Sequence, residues 1–423
     1  MHKIDLKNKK VVVVGLARSG VASAILLKSA GAKVFVSDIK DDVDTRNNKE
    51  ELEAQQIEVE LGKHSPGLFC GADLVVVSPG VRFDALCLNW ARAKNIPVIG
   101  EIELAASFCP APIIAVTGTN GKSTTTALIG EILKLSGRKV HICGNIGKAF
   151  SQEAVKIAKD DIVSLEVSSF QLETIVDFKP KVSVILNFNR NHLDRHKDMD
   201  EYLMAKKRIF MNQDKDDFTV LNMDDAVLKN LACQTKAEVR FFESSLDIGG
   251  FKLNANQAAA LRVGEIFKIE KKDALGVIRG FKGLPHRMEF VDTVSGIDFI
   301  NDSKATTVDS CAWALKNIYK PVILIAGGRD KGADFRSIRD LVRRKVKTLI
   351  AIGEAGNKIK DAYKGVTPVI GLDNFKAAVY AAKDLGCEGD CILLSPMCAS
   401  FDMFRDYEER GRVFKEIVRE LKK

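Results

Sequence analysis

Short runs of β-branched and aliphatic residues recur along the chain. Each is followed by a glycine-containing turn and then by a helix-like stretch. The eight clearest runs lie at residues 11–14, 74–77, 113–116, 162–165, 182–186, 322–325, 349–352 and 392–394. Strands that alternate with helices in this way form parallel sheets with crossover helices. The pattern therefore predicts an α/β fold with mainly parallel sheets.

The length of the chain predicts more than one domain. Its 423 residues exceed the roughly 250–300 residues at which a single hydrophobic core stops growing. Two stretches interrupt the pattern of strands, a proline-containing one at residues 109–112 and a glycine-containing one at residues 280–285. We therefore predict three domains, at residues 1–105, 106–283 and 284–423.

Composition narrows the class of protein. The chain is 46% hydrophobic and 28% charged, which is typical of a globular protein and argues against a disordered or coiled-coil one. No apolar run approaches the roughly 18–20 residues that cross a bilayer, and the nine cysteines lack the paired spacing of a zinc site. We expect free thiols, a cytoplasmic location and no membrane insertion.

Charge indicates the kind of ligand. The net charge is +8, but acidic residues are mixed among the basic ones, and no basic block is interleaved with aromatic residues. Nucleic acid is therefore not the expected partner. Small phosphate-bearing substrates fit this charge distribution better.

The strongest local motif follows the apolar run 113–116 and precedes a helix-like stretch. It consists of Thr117, Gly118, Thr119, Asn120, Gly121, Lys122, Ser123 and Thr124. Glycines allow backbone N–H groups to surround phosphate oxygens, the lysine reaches the terminal phosphates, and the serine hydroxyl can bind Mg²⁺. The motif predicts a nucleotide-phosphate site in a loop shorter than the general pattern, because its first glycine is Gly118.

Further candidates follow later strands. Glu166 ends the run 162–165, where nucleotide-triphosphate enzymes place a metal ligand. His192 and His196 are four residues apart, a spacing that zinc sites use, but no further ligand pattern accompanies them. Lys206, taken alone, is typical of a solvated helix residue.

The first and last parts of the chain add loops at strand ends. Residues 15–20 and Asp38 resemble a dinucleotide fingerprint with Ala17 in place of the middle glycine, which by itself is weak evidence. In the last third, charged and small residues follow apolar runs at residues 283–289, 301–306, 327–332 and 395–402. Four such loops in one domain favour a binding face.

Taken together, the motifs resemble the Mur ligase family of peptidoglycan synthesis. They are TGTNGKST at 117–124, GNIG at 144–147, LEVSSFQLE at 165–173, HLDRH at 192–196, GLPHRME at 283–289, NDSKATT at 301–307, GGRDKGADF at 327–335 and SPMCASFDMF at 395–404. The resemblance implies a Rossmann-like N-terminal domain that holds a UDP moiety, a central ATPase domain and a Rossmann-like C-terminal domain. GLARSG, SPGV at 78–81 and SPMCASFDMF favour the branch that joins D-glutamate to UDP-N-acetylmuramoyl-L-alanine, with an acyl-phosphate intermediate.

The resemblance also implies roles for individual residues. The UDP-substrate contacts would be Arg18, Ser19, Asp38, Gly80 and Asn145. The ATP contacts would be residues 118–124 with Asn256, Arg287 and Asp302. The D-glutamate contacts would be Thr306, Lys331, Ser400 and Tyr407. The catalytic residues would be Lys122, His192, Lys206 and Lys304. Two Mg²⁺ ions would be bound, one by Ser123 and Glu166, the other by His192 and a carbamylated Lys206. The protein would act as a monomer.

Three alternatives stay open. An NAD-dependent dehydrogenase would use residues 15–20 with Asp38, but it leaves the Lys122 loop unexplained. A nucleotide-gated binding protein would use that loop as a switch without acyl transfer. A ligase of the same family could instead add L-alanine, a diamino acid or a dipeptide, because a fold alone does not determine the substrate.

Overall fold

The computed structural model describes residues 5–189, 195–330 and 332–422. The chain divides into two compact units, Met1–Phe281 and Lys282–Lys423. In the described residues of both units, strands alternate with helices and nearly all strand pairs are parallel. The predicted α/β class with mainly parallel sheets is confirmed.

The first sheet of the first unit has five parallel strands in the order β3-β2-β1-β4-β5. Its strands are β1 Lys10–Val14, β2 Lys33–Asp38, β3 Glu58–Leu61, β4 Leu74–Val77 and β5 Val98–Gly100. Its helices are α1 Arg18–Ser29, α2 Val43–Glu53, α3 Leu86–Ala93 and α4 Glu101–Phe108. The valines of β1 are buried on both faces, as expected for a sheet covered by helices on both sides. The loops after β1, β2 and β4 therefore lie at one edge of the sheet.

The second sheet of this unit has six parallel strands in the order β11-β10-β9-β6-β8-β7. Its strands are β6 Ile113–Thr117, β7 Val140–Gly144, β8 Ile162–Glu166, β9 Val182–Ile185, β10 Phe218–Asn222 and β11 Glu238–Phe242. Its helices are α5 Lys122–Lys134, α6 Phe150–Ala154, α7 Ser169–Leu172, α8 Met199–Lys207, α9 Ala226–Lys229, α10 Ala255–Ile266 and α11 Lys271–Gly280. The central strand β6 is fully buried between β8 and β9. The loop that follows β6 is thereby held at the middle of the carboxyl edge.

A short antiparallel hairpin precedes α10. Strands β12 Ser245–Ile248 and β13 Phe251–Asn254 are joined by Gly249 and Gly250, both at positive φ. Two consecutive residues at positive φ form the turn that matches the twist of a two-residue hairpin. The last residue of β13, Asn254, caps α10 by accepting from the backbone N–H of Gln257. The hairpin thus ends directly at the start of the helix.

The second unit contains one six-stranded sheet in the order β14-β15-β19-β16-β17-β18. Its strands are β14 Glu289–Val294, β15 Ile297–Asn301, β16 Val322–Gly327, β17 Val346–Ile352, β18 Val369–Leu372 and β19 Cys391–Leu394. Its helices are α12 Val308–Lys316, α13 Arg339–Lys345, α14 Gly356–Tyr363, α15 Phe375–Leu385 and α16 Tyr407–Leu421. Only the edge strand β14 is antiparallel among the described strands of this sheet. The loops after β15, β16 and β19 consequently meet at one edge.

A buried carboxylate links α4 to the chain that leads into β9. Glu103 accepts hydrogen bonds from the backbone N–H groups of Val176, Asp177 and Phe178 at 2.8–2.9 Å, and its side chain is buried. Three donors satisfy a charge that would otherwise be costly to bury.

None of the helices within the described residues has the length and apolar character needed to cross a membrane.

We predict that Glu103→Ala lowers the free energy of unfolding of the first unit by about 3 kcal/mol, because three backbone N–H groups lose their acceptor. Urea unfolding followed by circular dichroism measures the change. Glu131→Ala is the matched control, because among the described residues the Glu131 carboxylate pairs only with Lys134, at an exposed position, and its loss should cost under about 0.5 kcal/mol. Equal effects of the two substitutions would contradict the prediction.

Candidate active site

The loop between β6 and α5 has the backbone conformation of a phosphate-binding loop. Gly118 and Gly121 both have positive φ, and α5 begins at Lys122 directly after Gly121. A Cβ on Gly121 would lie 2.2 Å from Oδ1 of Asn256, so a larger residue there would displace the Asn256 amide and would also strain a backbone at positive φ. Ser123 is buried in the first turn of α5. The helix N-terminus and the glycine backbone form an anion site, and Asn256, one of the predicted ATP contacts, lies against it.

Asn187, which the sequence analysis did not single out, fixes the shape of this loop. Its Oδ1 accepts from the backbone N–H groups of Thr119 and Asn120 at 3.0 and 2.9 Å, and its Nδ2 donates to the Asn120 carbonyl. Asn187 lies just beyond β9, the strand next to β6. Its position just after an apolar run was the signal that could have identified it.

Two lysines converge on one carbonyl oxygen of the loop. Lys122 Nζ donates to the carbonyls of Gly118 and Thr119 at 3.0 and 2.9 Å, and Lys206 Nζ donates to the Gly118 carbonyl at 2.9 Å. Lys206 is 1% exposed. Burial lowers the pKa of Lys206 well below its usual value, and the charge of Lys122 lowers it further. Lys206 is therefore not the solvated residue that its position in the sequence suggested.

The surroundings of Lys206 are aromatic. Its Nζ lies 4.5 Å from the centre of the Tyr202 ring, and the Tyr202 hydroxyl is 3.4 Å from Oγ1 of Thr119. Burial raises the pKa of Tyr202, so its hydroxyl stays protonated near neutral pH. Lys206 and the phosphate loop thus share one buried hydrogen-bonding environment.

Glu166 provides a buried carboxylate close to the phosphate loop. It ends β8, which pairs with β6 through Val116 opposite Glu166. Its Oε1 accepts from Nδ2 of Asn145 at 2.7 Å, whereas its Oε2 is buried and has no hydrogen-bond partner among the described residues. A buried carboxylate oxygen without a partner needs a cation or a donor. No group of three or more His, Cys, Asp or Glu side chains forms a metal site within the described ranges.

The five residues predicted to contact the UDP substrate line one cavity of about 1140 Å³ in the first unit. They are Arg18, Ser19, Asp38, Gly80 and Asn145. The Asp38 carboxylate accepts from the backbone N–H groups of Leu16 and Lys40 at 2.6 and 2.9 Å, which shapes the loop after β1. The structure therefore brings these residues together, and it shows that Asp38 also has a role in holding the loop.

In the second unit, Asp302 is buried at the carboxyl end of β15. Its Oδ1 accepts from the backbone N–H of Met288 at 3.1 Å, and its Oδ2 accepts from the hydroxyl of Ser395 at 3.0 Å. Burial raises the pKa of Asp302 to about 7, although both hydrogen bonds and the charge of Arg287 act against the rise. Nε of Arg287 is buried and has no hydrogen-bond partner among the described residues. The two predicted nucleotide contacts thus lie at one strand end.

A buried arginine joins two of the loops that carry predicted residues of this unit. Arg410 donates to the Ser303 carbonyl at 2.8 Å and to the Cys398 carbonyl at 3.2 Å, which joins the loop that carries Lys304 and Thr306 to the loop that carries Ser400. Lys304 Nζ lies 5.4 Å from the Tyr407 ring centre. The loops after β15 and β19 therefore form one face, as the sequence favoured, and Arg410 was not anticipated.

Two predicted residues, His192 and Lys331, lie outside the described residues. The zinc alternative depends on His192 as well. Nε2 of the other histidine, His196, lies 3.0 Å from the Ser169 hydroxyl. The roles assigned to these three residues stay predictions.

Comparisons with known protein families cover most of the chain. The Mur ligase MurD-like N-terminal domain matches residues 9–100, the Mur ligase middle domain matches residues 116–275, and the glutamate ligase domain of Mur ligases matches residues 286–398. The parallel sheets and the glycine–lysine loop define an α/β protein that binds nucleotide phosphates. The chain belongs to the Mur ligase family.

Curated relatives match over the full length. A UDP-N-acetylmuramoylalanine–D-glutamate ligase of Koribacter versatilis is 42% identical, with 99% of each chain covered. A protein of the same name from a Thermoanaerobacter species is 40% identical, with 99% of this chain and 100% of the relative covered. Among solved structures, a UDP-N-acetylmuramate-alanine ligase of Thermotoga maritima has a TM-score of 0.60 at 18% identity, with coverage of 97% of this chain and 99% of the other. That likeness supports the fold alone.

We predict that Asp302→Asn changes how stability depends on pH. The Asp302 pKa is about 7 in the folded protein and about 3.9 in an unfolded chain. The wild type therefore loses stability as pH rises from about 4 to 7, and the variant does not. Between pH 5.5 and 8 the variant should gain about 2 kcal/mol relative to wild type.

Urea unfolding of the nucleotide-free protein at several pH values measures this difference. The introduced side-chain amide can still accept from the Met288 backbone N–H and donate to the Ser395 hydroxyl, so the fold should persist. Asp340→Asn is the control, because Asp340 is exposed and pairs only with Arg343 among the described residues. A difference between Asp302→Asn and wild type that stays constant with pH would contradict the assignment.

Proposed function

We propose that this protein joins D-glutamate to UDP-N-acetylmuramoyl-L-alanine at the expense of ATP, through an acyl phosphate, with release of ADP and phosphate. This reaction belongs to peptidoglycan precursor synthesis. The observation that carries the proposal is the phosphate loop of β6 and α5, together with the large cavity at the strand ends of the same unit. The choice of D-glutamate and UDP-N-acetylmuramoyl-L-alanine as substrates is supported by the full-length relatives named UDP-N-acetylmuramoylalanine–D-glutamate ligase.

The chemistry brings one anion to another. The substrate carboxylate must approach the γ-phosphate of ATP in line with the bond that breaks, so the site must supply positive charge and orientation. Lys122 provides a cation at the loop, and the backbone N–H groups at the start of α5 provide further donors. Asn187 holds the loop in shape before ATP arrives.

The buried oxygens beside the loop fit a hard cation. Mg²⁺ prefers oxygen ligands. The Ser123 hydroxyl and Oε2 of Glu166, an oxygen with no hydrogen-bond partner in the part of the chain that the structure describes, are both buried near the loop. We assign these two residues to one Mg²⁺, which would neutralise phosphate charge. We assign a second Mg²⁺ to His192 and a carbamylated Lys206. The lowered pKa of Lys206 supports this modification, because only the neutral amine reacts with CO₂.

The second unit contributes the remaining contacts in this proposal. Arg287 and Asp302 contact the nucleotide, and Lys304 contacts the phosphates or the intermediate. Thr306, Lys331, Ser400 and Tyr407 hold the two carboxylates of D-glutamate, since a dicarboxylate needs two anchors. The proximity of the loops after β15 and β19 supports this arrangement.

The proposal extends to organisation and location. We place the three functional domains at residues 1–105, 106–283 and 284–423, and we propose a cytoplasmic monomer. The three family matches lie within these ranges. The dehydrogenase alternative is weakened, because it gives no role to the phosphate loop of β6 and α5. The switch and the sister-ligase alternatives require a direct assay.

The test is phosphate release by the purified protein with Mg-ATP and UDP-N-acetylmuramoyl-L-alanine. D-glutamate, L-glutamate, L-alanine and meso-diaminopimelate are added one at a time. We expect release that depends on D-glutamate alone. Release with a different amino acid would keep the reaction type and overturn the substrate, and no release with any of them would favour the nucleotide switch.

We also predict that Lys206→Ala lowers kcat by at least about 100-fold, because a metal ligand is lost. Added acetate or propionate should restore part of the activity by placing a carboxylate where the carbamate was. Lys207→Ala is the matched control, since the neighbouring Lys207 donates to Gln234 instead. A variant that still binds ATP but shows no rescue would contradict the carbamate.

A further inference from the structure

The loop after β4 forms part of the wall of the 1140 Å³ cavity. Residues 78–81 line it, and Val81 packs against the core of its own sheet, while the hydrogen bonds to that sheet are made by Ser78. The Ser78 backbone N–H donates to the Val14 carbonyl, and the Ser78 hydroxyl donates to the Gly15 carbonyl, both at 2.9 Å. The carbonyl groups of the next three residues accept from a side chain outside this sheet.

Arg195 binds those carbonyls from the other side. Its Nη1 donates to the Pro79 carbonyl at 2.9 Å and makes a longer contact of 3.4 Å with that of Gly80, while its Nη2 donates to the Val81 carbonyl at 2.7 Å. Arg195 precedes α8, which belongs to the sheet that carries the phosphate loop. One side chain therefore ties the cavity wall of the first sheet to the ATP-binding part of the unit.

The guanidinium is itself held in place. It lies 4.3 Å from the centre of the Phe170 ring, and its Nη2 is 3.5 Å from Oε2 of Glu173. The Arg195 side chain is 14% exposed. A planar donor group that is stacked on a ring and paired with a carboxylate has little freedom to move.

A second arginine, Arg18, connects the two sheets in the other direction, from the first sheet to a loop of the second. Arg18, at the start of α1, donates to the carbonyl of Gly144, the last residue of β7, and to those of Asn145 and Gly147 in the following loop. Arg18 and Asn145 also line the cavity, whereas Arg195 is not among the residues that line it. Two arginines thus connect the strand-end loops of the two sheets in opposite directions, and only Arg195 does so from outside the cavity.

We propose that Arg195 is a positioning residue, which fixes residues 78–81 relative to the phosphate loop so that the bound UDP-substrate presents its carboxylate to ATP. This inference rests on the proposed function. Arg195 acts through the loop and does not touch the substrate. Phosphoryl transfer depends steeply on alignment, since a displacement of about 1 Å can reduce the rate about 100-fold.

The experiment compares Arg195→Ala and Arg195→Lys with wild type in the phosphate-release assay and in calorimetric binding of UDP-N-acetylmuramoyl-L-alanine. For Arg195→Ala we expect the KM and Kd of this substrate to rise at least about 5-fold and kcat to fall at least about 10-fold, because the cavity wall and the substrate carboxylate lose their alignment. The KM of ATP should change less than about 2-fold. The constants of Arg195→Lys should lie between those of wild type and those of Arg195→Ala, because lysine keeps the charge but lacks the forked donors.

Arg138→Ala is the matched control. Arg138 also donates to two backbone carbonyls, those of Asp160 and Asp161 at 2.6 and 2.9 Å, but at the amino ends of β7 and β8, opposite the phosphate loop. Arg138→Ala should lose about as much thermal stability as Arg195→Ala, but the KM of the UDP-substrate should stay unchanged. A variant that is only destabilised has fewer active molecules, which lowers apparent kcat but not KM.

Wild-type KM and Kd for the UDP-substrate in Arg195→Ala would overturn the proposal. If Arg195→Ala does not fold, unchanged constants in Arg195→Lys would overturn it equally. Failure of the proposed function is recognised separately, because the wild type itself would then release no phosphate. In that case the calorimetric comparison still decides the role of Arg195, and a wild type that does not bind the UDP-substrate would overturn both.

Discussion

The active centre depends on one carbonyl oxygen that accepts hydrogen bonds from two lysine side chains. Gly118 can present this oxygen because its positive φ turns the backbone sharply after β6. Two charged amines are costly to hold close together in a buried space, and both burial and the charge of Lys122 lower the pKa of Lys206. Two amines therefore lie within hydrogen-bonding distance of one oxygen, and the buried one, Lys206, holds its proton less tightly than an exposed lysine does.

The parallel sheets explain why the predicted residues meet. In such sheets the carboxyl ends of the strands lie at one edge, so residues far apart in sequence gather there. Strand-end loops also expose backbone carbonyls that no neighbouring strand satisfies. Arg18, Arg195 and Arg410 each bind carbonyls of this kind. In each case a forked donor sets the distance between two loops, which a parallel sheet by itself leaves variable.

The sequence predicted what depends on local pattern. The α/β class, the phosphate loop and the placement of Glu166 at a strand end followed from apolar runs, glycines and their spacing. Lys206 could be selected only through the family resemblance, because its burial arises from tertiary packing around Tyr202. Arg195 and Arg410 were missed for a different reason. Their partners are backbone carbonyls, which carry no side-chain signature in the sequence.

The hairpin of β12 and β13 has a consequence for mutational tolerance. Its turn contains only Gly249 and Gly250, both exposed and both at positive φ, and the hairpin ends at the residue that caps α10. A slip of β13 by one position against β12 would reverse the buried and exposed sides of its residues. The start of α10 would move with it, and with that start the Asn256 amide beside Gly121. The register of a solvent-exposed hairpin therefore affects a side chain that lies beside the phosphate loop.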